Sequence, residues 1–123
     1  MKRKELIWIA STRKDLSRLP EEVQDHMGYA LHFAQIGKQH PSAKPLKGFG
    51  GVKVLEIVDF DADGTYRVMY TVEMPDCVFA LHAFQKKSKH GIKTPKQDID
   101  LVKTRLKQAQ DMYKQMSKRE VKS

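Results

Sequence analysis

The sequence predicts an α+β fold in the order β-α-α-β-β-β-α, and three observations carry that expectation. Two segments, Val23 to Ala34 and Ile99 to Met116, place apolar residues at helical spacing. Three strand-like runs follow one another between residues 52 and 84 with only short turns between them, the pattern of an antiparallel meander. A further apolar run lies near the N-terminus, at ELIWIA, residues 5–10. Helices grouped ahead of a meander, instead of alternating with its strands, pack on the sheet as in an α+β sandwich.

Each element has a local reason. The first strand, ELIWIA, is almost continuously apolar, as a buried strand is. In the following STRKD, Thr12 with Asp15 three residues on has the form of a helix start, and a short helix there turns Leu16 and Leu19 inward. Pro20 opens a second helix, with Glu21 and Glu22 complementing its dipole. Val23, Met27, Ala30, Leu31 and Ala34 make its apolar stripe, and Gly37 is placed to end it. KQHPSAKPLKGFGG, residues 38–51, is a basic loop. Strands follow at 52–58, 65–72 and 77–84, with turns at 59–64 and 73–76. Thr94 and Pro95 supply a cap and a first-turn proline for the last helix, with Gln97 at the capping-box position.

Composition narrows the class. A chain of 123 residues is expected to form one domain over 1–123, with residues 117–123 a frayed tail. A lone cysteine, Cys77, excludes an internal disulfide and any multi-cysteine metal site, and its place in an apolar strand marks it as a small buried hydrophobe. The apolar run after MKRKE is too short for a signal peptide, and no segment matches a membrane span. A soluble cytoplasmic protein is the expectation. The formal net charge of +8 favours a polyanion as partner.

Metal and nucleotide chemistry find little support. His26 and His32 are six residues apart, on different faces of a helix, and with His40 they form no ligand pattern. DFDADG lacks the distal glutamate and flanking helices of a calcium loop. Gly48-x-Gly50-Gly51 is followed by a strand, so it is no dinucleotide fingerprint. No metal and no cofactor are expected.

The positive charge is concentrated instead. Lys86, Lys87, Lys89, His90 and Lys93 lie between the last strand and the last helix, and no acid occurs from Cys77 to Gln97. Arg67 sits in the middle of TYRVMYTV, where it has a structural use, pairing with Glu56 on the neighbouring strand, and a chemical one. By strand alternation His82 shares a face with Ala80, Phe84 and Lys86, and a lone strand histidine is more often structural than catalytic. RNA can be cleaved by such groups. Its 2′-hydroxyl attacks the adjacent phosphate when a base takes the proton, an acid protonates the leaving oxygen and cations stabilise the phosphorane. Arginine fits the last role through two-pronged contact with phosphate oxygens.

LKGFGGVKVLEIV, GTYRVMY and VFALHAFQKKSKHGIKTP, followed by a final helix, resemble the RelE/ParE toxin superfamily, and within it the HigB-like, phage-derived branch. The likeness covers residues 5–115 in element order and 46–95 in motifs. It implies a compact RelE-like fold, its antiparallel sheet packed by two N-terminal helices and a C-terminal one. It implies the toxin of a type II toxin–antitoxin system that cleaves mRNA, commonly on the ribosome, without a metal. By this likeness Arg67 contacts the scissile phosphate, while Lys86 and Lys87 form the basic pair after the last strand. His82 joins them as a catalytic candidate, and Lys47, Lys53, Lys89, His90 and Lys93 become RNA-binding ones. The implied partners are a helix-turn-helix antitoxin, mRNA and the ribosome, with no membrane. Where relatives often carry a basic residue, this chain has Val58, and the C-terminal tyrosine of some relatives has no counterpart. The same fold also serves ParE-like toxins that inhibit DNA gyrase without nuclease activity, which is the alternative reading. A basic phage protein that only binds a host factor is the third.

Overall fold

A computed structural model describes residues 2–87 and 93–122, the last three of these by backbone only. Its elements are β1 (Glu5–Trp8), α1 (Thr12–Ser17), α2 (Glu21–Gln35), β2 (Lys44–Pro45), β3 (Val54–Asp61), β4 (Gly64–Thr71), β5 (Cys77–Lys86) and α3 (Lys96–Lys122). The α+β architecture is the expected one. The additions are β2, two residues inside the proline-bearing loop, and a last helix that continues to Lys122 through the tail expected to fray. Two of the meander strands run further than expected: β3 continues through Asp59, Phe60 and Asp61, leaving only Ala62 and Asp63 as the hairpin turn, and β5 reaches Lys86.

The helix ends are secured in different ways. Ser11 is the N-cap residue of α1, and its hydroxyl donates to Asp15 at 2.7 Å, while Thr12 turns back to the Ile9 carbonyl. Pro20 is the cap of α2 and lies just outside its first turn. Gly37, at φ 79°, closes that helix with the Lys38 amide donating to the Phe33 carbonyl, as a left-handed residue after a helix allows. At α3 the carbonyl of Pro95 accepts from the Asp98 and Ile99 amides. Thr94 does not cap the helix through its side chain, which is used elsewhere.

The sheet has the order β1-β5-β4-β3-β2. The meander is antiparallel, as expected, and β1 adds to β5 in parallel, with Glu5 opposite Cys77 and Trp8 opposite Ala80. A parallel neighbour needs a crossover connection, which here contains α1 and α2. These two helices cover one face, where Val23, Met27, Leu31 and Ala34 pack against Leu55, Ile57, Tyr66, Val68 and Tyr70. α3 covers part of the other, where Val102, Leu106 and Ala109 meet Val54, Met69, Phe79 and Leu81. Burying each of these large apolar side chains stabilises the fold by about 1.5–3 kcal/mol.

One irregularity changes the parity of β5. Met69 faces His82 but Tyr70 faces Ala80, so Leu81 is the extra residue of a β-bulge. His82 and Ala80 therefore lie on opposite faces, contrary to simple alternation. Leu81 and His82 both turn toward α3.

Tyr70 gives a test of the α2-side core. It is fully buried, its hydroxyl has no hydrogen-bond partner among the described residues, and burial pushes that hydroxyl up to about 12. A raised folded value means that the neutral form is favoured by folding. Its stabilising contribution is complete below pH 10, the unfolded value, and falls away as pH rises toward 12. Tyr70→Phe is expected to leave stability at pH 7 unchanged or slightly higher, since no bond is lost. It is also expected to move the alkaline unfolding midpoint upward, as read by circular dichroism.

Candidate active face of the sheet

The face that carries α3 is only partly covered by it, and the strand register fixes what the rest presents. Directly opposed residues on antiparallel strands share a face. Three rows result across β3, β4 and β5. The outermost is Phe60, Thr65 and Lys86; the next is Val58, Arg67 and Phe84; the innermost is Glu56, Met69 and His82, with Lys44 of β2 beside Glu56. Exposure is greatest at the outer corner, with Phe60 at 77 %, and Arg67 in the next row is already buried at 2 %. Thr94, just before α3, and Asp98, in its first turn, close the inner end through Glu56 and His82.

Arg67 is held by an ion pair. Its Nη1 lies 3.1 Å from Glu56 Oε1 and donates to Thr94 Oγ1 at 3.4 Å. The Thr94 hydroxyl itself donates to Glu56 Oε2 at 2.6 Å. The threonine that looked like a helix cap thus ties the approach to α3 onto the central strands. The structural use foreseen for Arg67 is present, and it places a carboxylate and a guanidinium side by side across the second and third rows, inward of Phe60 and Lys86.

A cleft of about 370 Å³, lined by Pro41, Ser42, Lys44, Glu56 and Val58, reaches Glu56 from the β2 side. Among the described residues this brings solvent to a carboxylate flanked by two cations, Lys44 and Arg67. A base can stack on Phe60 or Phe84, because every nucleobase offers a π-face to an aromatic ring.

His82 is committed to the scaffold. Its Nε2 lies 2.8 Å from Asp98 Oδ1 at the start of α3, and its ring stacks on Phe84 with centroids 4.7 Å apart. Nδ1 faces Arg105 Nη1 at 3.4 Å; arginine only donates, so Nδ1 accepts and the neutral ring carries its proton on Nε2, toward Asp98. Arg105 also donates to the Leu81 carbonyl at 3.0 Å and to the hydroxyls of Thr12 and Ser11. This network joins the bulge, α1 and α3. It sets the tilt of Phe84 and leaves neither ring nitrogen for a substrate.

The lysine pair after β5 is divided. Lys86 stands in the outer row, on the same face as Arg67. Lys87 lines a different cleft, with Arg18, Leu19, Pro20, Asp63, Tyr66 and Gln85, on the α1–α2 side. Tyr66 lies there too; burial first, and then its hydrogen bonds to Asp61, push its hydroxyl up to about 12. Lys53 belongs to another cleft, with Lys4 and Lys38 near the end of α2. Lys47 is exposed on the loop whose Leu46 and Phe49 pack into the α3-side core, and Lys93 is exposed just before Thr94. Lys89 and His90 lie outside the described residues.

The sequence reading missed Glu56 as a member of the site in its own right, Lys44, Phe60, Phe84 and Thr94. Strand parity with Arg67 was a signal for Phe84 and Glu56; Phe60 was hidden by the acids around it, which looked like a turn. Among the described residues no group of three or more His, Cys, Asp and Glu side chains could hold a metal ion.

A mixed sheet with helices on both faces, and an aromatic and cationic corner beside a buried Arg–Glu pair, defines a small basic α+β protein. The chain belongs to the Phage derived protein Gp49-like family (DUF891), whose sequence pattern matches residues 14–107. That family is associated with RelE-like toxins. No curated protein matches the chain.

Proposed function

We propose that this chain is the toxin of a type II toxin–antitoxin pair, a RelE-like endoribonuclease of the HigB-like branch that cuts mRNA on the ribosome. The observation that supports this reading is the register. It gathers Glu56, Arg67, Lys44 and Lys86 on one sheet face, with Phe60 and Phe84 among them.

The chemistry follows from those groups. A nucleotide stacked on Phe60 or Phe84 lays its phosphate across the open rows. Glu56, paired with Arg67, accepts the proton of the 2′-hydroxyl through the cleft at β2. The 2′-oxygen forms its bond to phosphorus, and the bond to the 5′-oxygen breaks. Lys86 gives that leaving oxygen a proton, and Arg67 and Lys44 stabilise the charge that builds on the phosphorane. The products are a 2′,3′-cyclic phosphate and a 5′-hydroxyl. No residue in this scheme needs His82. An antitoxin, expected to be a helix-turn-helix protein, silences the face by covering it, and the setting is the cytoplasm. Among the described residues no helix is long and apolar enough to cross a membrane.

Phe60→Ala, Lys44→Ala and Lys86→Ala test the scheme, because all three side chains lie at the surface or near it and their loss spares the core. Each is expected to keep the wild-type melting temperature. Loss of one stacking platform is worth about 1–3 kcal/mol, so Phe60→Ala is expected to slow cleavage of a translated mRNA in extract roughly 5- to 150-fold. Wild-type cleavage rates in all three would remove this face from the mechanism.

A further inference from the structure

A second charged surface lies on α3, apart from the rows of the sheet. Lys96, Lys103, Lys107, Lys114 and Lys118 follow one another at intervals of seven, four, seven and four residues. Each interval is close to a whole number of turns at 3.6 residues per turn, so all of them return to one side of the helix. That side is not the buried one, which carries Val102, Leu106 and Ala109. All five lysines are exposed, and none makes an ion pair among the described residues. Asp100 and Asp111 on the helix, and Glu73 across the groove beside it, are exposed acids near them, and among the described residues the lysines outnumber these acids. From Lys96 to Lys118 it extends for about 33 Å. Beside its middle lies a groove of about 570 Å³ whose lining includes Lys103, Lys107 and Lys114, two acids, Glu73 and Asp111, and Tyr113.

We infer that the α3 stripe is a rail for the sugar–phosphate backbone of a structured RNA, separate from the face proposed to cut. The inference stands whether or not the chain cleaves RNA. Like charges held in a row on one helix, offset only in part by Asp100 and Asp111, repel one another, and a partner that neutralises them together removes that cost. A nucleic-acid backbone does so because its charges repeat regularly along a line. The stripe is built of lysines, which meet phosphate oxygens as point charges without a fixed geometry. It presents no arginine and no aromatic ring on its own side to read base edges, so the interaction is with the backbone and independent of sequence. Such binding releases counterions, and its strength falls steeply with salt.

The test uses the full chain and a 2′-O-methyl hairpin RNA, which cannot be cleaved, with affinity measured across a series of salt concentrations. The variant Lys103→Gln/Lys107→Gln/Lys114→Gln is compared with Lys2→Gln/Lys4→Gln/Lys38→Gln. The second makes the same change in net charge near the N-terminus and the end of α2. Melting temperatures confirm that both fold. The α3 variant is expected to lower the slope of log affinity against log salt by about 2, since each phosphate left without its lysine removes about 0.7–0.9. The control is expected to change it by less than half as much. An unchanged slope in the α3 variant would overturn the inference, and so would equal losses in the two variants, which would reduce the effect to net charge. Displacement of the RNA by polyglutamate at equal charge concentration would also overturn it, assigning the stripe to an acidic polypeptide.

Discussion

Arg67→Ala is expected to cost about 3–5 kcal/mol of stability, the range for removing one partner of a buried ion pair, and to abolish toxicity with it. The physical reason is the Glu56 carboxylate, only 12 % exposed in its side chain, which would lose the guanidinium paired with it. Against a total of about 5–15 kcal/mol for a domain, that is a large fraction. A loss of activity in this variant alone therefore does not separate chemistry from folding. Arg67→Lys does. An ammonium beside Glu56 is expected to recover most of the stability in urea unfolding. It cannot face Glu56 and a phosphate together as a planar guanidinium can, so cleavage is expected to stay more than about 100-fold down. A double variant, Arg67→Met/Glu56→Met, is expected to approach wild-type stability, because apolar side chains of similar volume often replace a buried pair without loss. Near-native stability of Arg67→Ala would show that the pair does not brace the sheet.

Gly64→Ala carries the second large effect. Gly64 opens β4 at φ 139°, a conformation that L side chains rarely adopt. A Cβ there would overlap the Lys86 carbonyl oxygen and come within 2.9 Å of Lys87 Cα, both of them backbone. Backbone strain of about 1–3 kcal/mol and a similar overpacking cost add. We expect unfolding free energy to fall by at least about 2 kcal/mol, while Asp63→Ala, one residue away at the exposed turn, changes it by less than about 0.5 kcal/mol. Since the end of β5 must shift to admit the methyl group, Lys86 moves with it. Cleavage is expected to fall more than Lys87→Ala makes it fall. Wild-type stability in Gly64→Ala would mean that β4 and β5 do not approach so closely at this end.

The two faces of the sheet were legible because alternation and helical spacing are local properties. The stripes of α2 and α3, the meander and Gly37 all follow from them. What escaped depended on partners distant in sequence. VFALHAFQ alternates without a visible break, and only the mismatch between Met69–His82 and Tyr70–Ala80 reveals the bulge that parts His82 from Ala80. Thr94 has the residue type and position of a cap, yet Glu56, thirty-eight residues earlier, takes its hydroxyl. Arg67 was singled out with both of its uses in view, and the pairing with Glu56 is there. Lys86 and Lys87 look like one basic unit in the sequence, although neighbours at a strand end point to opposite sides, and the clefts divide them accordingly.

The central claim is that the face bearing Phe60, Lys86, Glu56 and Arg67 cuts mRNA. Its most direct test is to map mRNA 5′ ends by primer extension after brief induction of the chain, beside Phe60→Ala and Arg67→Lys. Discrete new 5′-hydroxyl ends are expected inside translated frames, weakened by the first variant and absent with the second. Growth arrest with a DNA-damage response and no new ends would contradict the claim, and would assign this fold to the inhibition of gyrase instead.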